Sequence, residues 1–562
     1  MADQGRTNIT MDDRVHDYVV VGTGAGGGIV AHQLAKAGLD VLSVEQGKRL
    51  PSDYFTNRNP PGARKDWGIR PDSAFPGNPR DAIFNHELFA DTETRSSSRS
   101  AERAFLSYQV MELGGLQNLW NAVSVRFAPQ DFSGWPVGYA DLAEHYAATE
   151  KLITVCGAQD NIPSLPDGCF IPAKPLREAD RIISDAIEGM KRPDTYVIAN
   201  RKAIETRSDR ANACAQIGIC TSGCMVDAVY RFPTRLLPEI EQLPNYRLVT
   251  GMKAIRLERR PGDAEIEALI CRDTTSGEEV RIRGRRFILA AGAIETPRLL
   301  FNSRDDAAPN GLANSSGAVG RYLQDNAKVA LSTSLLKLWG KPASSDIGFA
   351  DRLLILSKDT LTDGSEFSFC GHMIHTVIDT PYYLEGLQAV PAALRPWLAR
   401  KLFNSYVTLA LFAPGDPDPE NRLTPSADRD RFGVPQVDIT YRYSARTLER
   451  LERIERFIRK ALRRASGTLL YGAPDRPGTG IHYAGTCRMS ALPQDGVVDR
   501  NLRAHDHPNL YICDGSTLPT LPDKHLTLTI MTLANRLAHH LAAEAPARPA
   551  QAVREMADFR AQ

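Results

Sequence analysis

The first group of residues whose type and spacing point to chemistry is Gly22-x-Gly24-x-x-Gly27, with Glu45 standing 23 residues after Gly22. Glycines at that spacing permit a tight turn and let a pyrophosphate approach the backbone, where unpaired amides at a helix N-terminus attract its charge. A carboxylate at the end of the following strand can grip a ribose hydroxyl pair. The pattern points to a dinucleotide and does not separate FAD from NAD. The second group is Cys214, Cys220 and Cys224, spaced C-x5-C-x3-C with glycines between them. Three thiolates this close can cap one face of an iron–sulfur cluster, whereas zinc prefers four ligands and commonly a C-x2-C knuckle. Plain buried cysteines are the third reading of the same spacing. The third group is histidine, because imidazole titrates near neutrality and suits the removal of a proton from a hydroxyl. Twelve histidines are present, and residue type alone does not select among them.

The glycines can act only where a strand passes into a helix. Residues 17–21, Asp-Tyr-Val-Val-Val, read as a buried strand that runs into them, and 29–37 carry helical apolar spacing that stops at Gly38, a residue suited to the position after a helix. Residues 40–45 read as a second strand ending on Glu45, which completes a β-α-β unit. From 50 to 108 the chain is irregular, polar and broken by proline, the pattern of a long loop that covers something. Alternating segments at 246–257 and 266–272 suggest a hairpin, and 286–291 a buried strand ending at Gly292. Strand patterns at 367–377 and 407–412 and a charged amphipathic helix at 445–465 read as a second domain. The expected organisation is a discontinuous domain of 12–335 and 481–545, including the 50–108 loop and a cysteine loop of 208–230. A second domain of 336–480 interrupts it, and 546–562 is a flexible tail.

Composition narrows the function classes. The chain has 68 basic and 67 acidic residues, a net charge of +1, which argues against a nucleic-acid or membrane-surface role driven by charge. Nine cysteines are too few for a disulfide scaffold. The first 17 residues lack an apolar core and no stretch reaches 18 apolar residues, so neither an export signal nor a membrane span of its own is expected, and the compartment stays open.

Several further motifs resemble, in order along the chain, the glucose-methanol-choline (GMC) flavin oxidoreductases. Gly292-Ala293-Ile294-Glu295-Thr296-Pro297-Arg298-Leu299-Leu300-Phe301-Asn302-Ser303 is similar to a family signature, with Arg304 where glycine is usual. Gly320 to Asn326, His482 to Met489, Asp514-Gly515-Ser516 and His525-Leu526-Thr527 match the segments that follow. The resemblance implies an α/β fold: a Rossmann-type FAD-binding domain interwoven with an α+β substrate-binding domain on an antiparallel sheet. It implies FAD held by Gly22, Gly24, Gly27, Glu45, Gly115, Asn118, Asn121, Ala122, Asp514, Gly515 and Thr527. Gly114 to Asn121 is similar to the flavin-side loop in which some relatives attach the ring through histidine. Leu119 occupies that position here, which implies non-covalent FAD.

The resemblance also selects His482 and His525 as the catalytic pair, with His525 where many relatives have asparagine. The cysteine spacing resembles that of catalytic subunits of bacterial FAD-dependent sugar dehydrogenases, and implies a cluster of 3Fe-4S type, with Cys156 or Cys169 available as a fourth ligand. Such relatives work with a small subunit that carries the export signal and a c-type cytochrome that takes the electrons. The expected activity is therefore oxidation of a sugar, polyol or related alcohol by hydride transfer to flavin, with electrons leaving through the cluster to a cytochrome or quinone-type acceptor. An oxygen-using oxidase and a non-catalytic flavin electron-transfer subunit are the competing readings.

Overall fold

The computed structural model describes residues 14–51, 54, 105, 107–216, 220, 224, 226–260, 262–342, 352–375, 390–402, 404–467 and 477–545. The expected covering loop, 50–108, lies outside the described residues apart from Leu50, Pro51, Tyr54, Phe105, Ser107 and Tyr108, and the tail 546–562 lies outside them entirely.

Strand β1 (Val15–Val21), helix α1 (Ala25–Lys36) and strand β2 (Val41–Val44) form the β-α-β unit. The helix begins earlier than its apolar spacing suggests because consecutive glycines make up its first turn. A Cβ on Gly26 would stand 1.8 Å from the Cys513 carbonyl oxygen, and one on Gly27 2.0 Å from that of Gly22. Only glycine lets the helix lie this close to the sheet. Gly38, at φ +81°, turns the chain out of the helix.

Next come α2 (Tyr139–Ile153), α3 (Glu178–Glu188), β3 (Tyr196–Ala199), β4 (Tyr246–Val249), β5 (Met252–Arg259), β6 (Ile266–Asp273), β7 (Glu279–Leu289) and α4 (Gly292–Asn302). The segment 246–257 is not one strand. Gly251, at φ +73°, divides it, so that β4 runs parallel to β2 and β5 pairs antiparallel with β6. The rest of the chain supplies β8 (Lys328–Ser334), β9 (Leu353–Thr360), β10 (Glu366–His375), β11 (Tyr406–Phe412), β12 (Arg422–Arg429), β13 (Pro435–Thr440), α5 (Ala445–Arg464), β14 (Leu510–Ile512) and α6 (Thr527–Glu544).

The first sheet runs β4-β2-β1-β7-β6-β5, with β14 beside the C-terminal end of β7. Its β4, β2, β1, β7 and β14 run parallel. Strands β2 and β14 and the C-terminal ends of β1 and β7 are buried and almost wholly apolar, as strands covered on both faces must be, whereas the first part of β7 is charged and partly exposed. The second sheet runs β8-β11-β10-β9-β3, entirely antiparallel. One of its faces packs on α3 and α5 through Ile183, Ile187, Phe457 and Ile458. Its opposite face packs on Val123, Val125, Ile162 and Leu165 through Leu354, Leu356 and Cys370.

This sheet draws β3 and β8 from outside the 336–480 range expected for the second domain. The β12–β13 hairpin, inside that range, instead joins the first core through Leu423, Val437 and Ile439. An antiparallel sheet recruits any segment whose register fits, so the chain crosses between the two bodies more often than composition reveals. Among the described residues no helix is long and apolar enough to cross a membrane.

Candidate active site

The three motif glycines have separate tasks. Gly22, at φ +92°, leaves β1 so close to β7 that a Cβ would stand 2.6 Å from the Ala290 carbonyl oxygen, and Gly27 packs the helix against that turn. A Cβ on Gly24 would meet nothing within 4 Å, because Gly24 faces an open cleft. No acidic side chain lies in the first turn of α1, and no side chain caps Gly24. The helix therefore presents unfilled amides to the cleft where an anion would sit.

Glu45, buried at the end of β2, lines the same cleft. Its Oε2 accepts from the Thr23 amide (2.9 Å) and hydroxyl (2.6 Å), and its Oε1 accepts from the Gly47 amide (2.9 Å). Burial raises its pKa, and those three bonds oppose the rise. Thr23 Oγ1 accepts from the Gly114 amide at 2.9 Å, which ties the glycine turn to the second loop. In that loop Gly115, Leu116, Gln117 and Trp120 form the cleft wall. Asn118, expected at the cofactor, holds the turn: its Nδ2 donates to the carbonyls of Leu113 (2.9 Å) and Gly115 (3.0 Å). Ala122 is fully buried at φ +63° and bends the loop away, and Asn121 beside it is likewise not part of the wall.

Gln117 is the cofactor-side residue that motif reading passed over. Its side-chain oxygen and nitrogen are both buried without a hydrogen-bond partner in the protein, on the wall of the cleft. An unpaired buried amide costs about 1–3 kcal/mol, which a ligand with both donors and acceptors would relieve. Leu119, at the position of covalent attachment in some relatives, is buried in an apolar cluster with Tyr54, Tyr108 and Val110.

Asp514 also reaches the cleft, but its carboxylate is committed: Oδ2 accepts from the Gly292 amide (2.9 Å) and the Thr296 hydroxyl (2.6 Å), and Oδ1 from the Ser516 amide (2.8 Å). It joins the start of α4 to the end of β14 and fixes the backbone of Gly515, which lines the cleft beside Thr527 at the start of α6. Open glycine backbone, unfilled helix amides, a buried carboxylate and an orphaned amide together fit a flavin dinucleotide.

His482 and His525 meet although 42 residues separate them. Their ring centroids are 4.8 Å apart at 72°, and Phe412 from β11 lies 5.4 Å from the first and 5.3 Å from the second. Each neighbours the cofactor cleft, whose wall includes Ile481 and Tyr483 on one side and Leu526 and Thr527 on the other. The protonation of His482 follows from its partners. Asn326 Nδ2 donates to the carbonyls of Ala413 (2.9 Å) and Pro522 (2.7 Å), which orients the amide so that Oδ1 faces His482 Nδ1 at 2.8 Å. That oxygen only accepts, so Nδ1 carries the hydrogen and Nε2 keeps its lone pair. Asp325 secures the backbone, accepting from the amides of Gly480 (2.9 Å) and His482 (2.8 Å). Burial, with Lys328 and His372 adding to it, pushes the His482 pKa down to about 3, so the ring is neutral at neutral pH.

His525 is buried, and its Nδ1 has no hydrogen-bond partner in the protein. Burial and then the neighbouring His482, His372 and Lys202 hold its pKa well below the ordinary value. The turn that carries it is pinned by the buried Lys524, whose Nζ bonds Asp131 (2.9 Å) and Asp523 (3.0 Å). Burial would lower the Lys524 pKa, but those two carboxylates outweigh it and raise it. Phe412 and His372 carry no local sequence signal for this role, since each is brought in by long-range pairing; Asn326 closes a motif segment, but its bond to His482 could not be read from it.

The expected cluster is not shown at the cysteine trio, and most of the loop at 217–225 lies outside the described residues. None of Cys214, Cys220 and Cys224 is in a disulfide, and among the described residues no group of three or more His, Cys, Asp or Glu side chains converges to hold a metal ion, although Cys214 lies near enough to Cys224 and to Cys156 for their charges to interact. Burial raises the Cys214 pKa and keeps it protonated, Cys220 is packed in the first core, and Cys224 Sγ accepts from the Ala228 amide at 3.3 Å. Cluster ligation needs thiolates facing one centre.

Models of the GMC oxidoreductase family match residues 199–328 and 417–534. Over most of its length the chain is 30% identical to 6'''-hydroxyparomomycin C oxidase of Streptomyces lividus, covering 95% of this chain and 93% of that one. This chain belongs to the GMC oxidoreductases. The new member is also 29% identical to paromamine 6'-oxidase of Streptomyces fradiae (96% of this chain, 93% of that one). To the fructose dehydrogenase large subunit of Gluconobacter japonicus it is 26% identical (93% and 97%). Among solved structures, pyridoxine 4-oxidase from Mesorbium loti shares the fold with a TM-score of 0.64 at 18% identity, over 94% of this chain and 100% of that one. As a GMC oxidoreductase the protein is an FAD-dependent enzyme, and the cleft beneath Gly24 is where this chain has room for that cofactor.

Proposed function

We propose that this GMC oxidoreductase oxidises a hydroxyl of a sugar, amino sugar or related polyol, with His482 as the base. The observation that carries the reading is the hydrogen-bond chain from Asn326, which leaves the Nε2 lone pair of a neutral His482 beside the cofactor cleft. FAD, held non-covalently by the cleft, supplies the acceptor for the hydride that leaves the carbinol carbon. His482 Nε2 takes the hydroxyl proton, so the substrate gives up two electrons and one proton with the hydride and a second proton to imidazole, and leaves as a carbonyl compound. His525 holds the substrate oxygen. Phe412 closes the chamber on the side of the second sheet and excludes water. The names of the relatives, two aminoglycoside oxidases and a fructose dehydrogenase, support a carbohydrate substrate.

Electron exit through an iron–sulfur cluster to a cytochrome is not part of this proposal, because no metal site is found among the described residues. Relatives named as oxidases and as dehydrogenases both match the chain, so the acceptor is decided by experiment. A panel of sugars, amino sugars and polyols run with a dye acceptor and with oxygen measures it. The base is tested by anaerobic flavin reduction in His482→Ala. Loss of a general base costs about 10²- to 10⁴-fold, and wild-type reduction at saturating substrate overturns the assignment.

A further inference from the structure

Strand β10 places a third histidine in this chamber. Phe369 and Met373 point into the core beneath α5, and the Phe369 ring lies 5.1 Å from Phe457. Strand alternation sends Cys370 and His372 to the opposite face. Register sets His372 beside Ala410 and Cys370 beside Phe412. His372 is buried, its ring 5.8 Å from Phe412 and 5.5 Å from His525, inclined 34° to the latter. The two active-site histidines are oriented by different means. A hydrogen bond from Nδ1 to Asn326 fixes the His482 ring, whereas the Nδ1 of His525 has no such bond. Among the described residues the rings in contact with the His525 imidazole are His372, Phe412 and His482.

We propose that His372 is a positioning residue of the active site: it acts through His525, holding that ring at the angle at which its nitrogen meets the substrate oxygen. This rests on the reading of the site as an alcohol-oxidising centre. The consequence is that the second sheet does more than enclose substrate, because a change on β10 reaches the chemistry through the neighbouring imidazoles.

A double-mutant cycle with His525→Asn tests it, read as the limiting rate and half-saturation of anaerobic flavin reduction. An aromatic pair of this kind is worth about a 2- to 13-fold effect, so His372→Ala is expected to slow limiting reduction by about that factor in the wild-type background. In the His525→Asn background the same change is expected to have little further effect. His372→Phe, which keeps a ring against His525, is expected to recover most of the rate lost in His372→Ala. Equal losses in both backgrounds, or a phenylalanine variant no better than alanine, overturn the proposal. The crystal structure of His372→Ala reads the same positioning without turnover: a His525 ring unchanged in angle also overturns it. Normal reduction in His482→Ala would instead refute the base and leave the coupling between His372 and His525 standing.

Discussion

Gly22, Gly24, Gly27 and Glu45 belong to one β-α-β unit, whereas the histidine chamber assembles side chains from β8–β11 neighbours, the 482 turn and the start of α6. In the cleft, backbone does the work, and the side chains that matter are mostly absent ones. In the chamber, side chains do it, and each is oriented by another far away in the chain. A site made of backbone tolerates almost nothing at Gly22 and Gly27, where an added carbon meets a backbone atom that cannot move. A site made of paired side chains weakens in steps as each support is removed.

Glycine substitutions draw the contrast at its largest. Gly27→Ala places a Cβ 2.0 Å from the Gly22 carbonyl oxygen, so helix and turn must separate. Overpacking of this sort costs about 1–3 kcal/mol or more, and both FAD content and thermal stability are expected to fall. Gly24→Ala meets no protein atom within 4 Å. It is expected to fold with near wild-type Tm yet purify with little FAD. If Gly24→Ala retains stoichiometric FAD by absorbance, the open side of that glycine is not where the phosphate lies.

In the chamber, Asn326→Ala removes the acceptor that holds the hydrogen on His482 Nδ1. A hydrogen bond of this kind contributes about 0.5–1.5 kcal/mol, so flavin reduction is expected to slow by about 2- to 13-fold with FAD still bound. Asn326→Asp keeps the acceptor, and its rate is expected above that of the alanine variant. Equal rates for the two would remove Asn326 from the orientation of His482.

What the sequence made legible follows the same division. The glycine turn, the strand carrying Glu45 and the helix after His525 are local, and their spacing alone points to their structure. The contribution of β3 and β8 to the second sheet was not legible, because edge-to-edge pairing leaves no mark within the segment that pairs. His372 likewise looks like one more strand residue until β10 is registered against β11. Asn118 and Asp514 were found in the right loops but with tasks that only hydrogen-bond geometry could assign. Gln117 lay within a quoted motif, and its two unpaired polar atoms set it apart only once the wall was built.

Acidification separates the two regions more gently. The folded pKa of His482, about 3, lies below the ordinary value of 6.5, and His32, His507 and His525 are displaced in the same direction, chiefly by burial. Between those values the unfolded chain binds more protons than the folded one, so this contribution to stability is complete above pH 6.5 and declines as pH falls toward 3. Because His482 stays neutral across that interval, the limiting rate of flavin reduction is expected to hold between about pH 8 and pH 5 while the Tm declines. An acid limb in the reduction rate centred near 6.5, with Tm unchanged, would show a solvent-exposed imidazole as the base.

The smallest effect is expected at the cysteines, which belong to neither region. Cys220 is buried in the first core, and serine keeps its size while introducing a hydroxyl that burial disfavours by about 1–3 kcal/mol if unpaired. Cys220→Ser should therefore lower the Tm slightly and leave the rate of flavin reduction by substrate unchanged. If the loop holds no cluster, anaerobically purified protein contains neither iron nor acid-labile sulfide, and electron delivery to any acceptor is as fast in the variant as in the wild type. Stoichiometric iron and sulfide, lost together in Cys220→Ser along with transfer to a cytochrome but not to a dye, would mean that the loop closes around a cluster when one is supplied. The two-region division would then need a third part, with its own route for electrons out of the cleft.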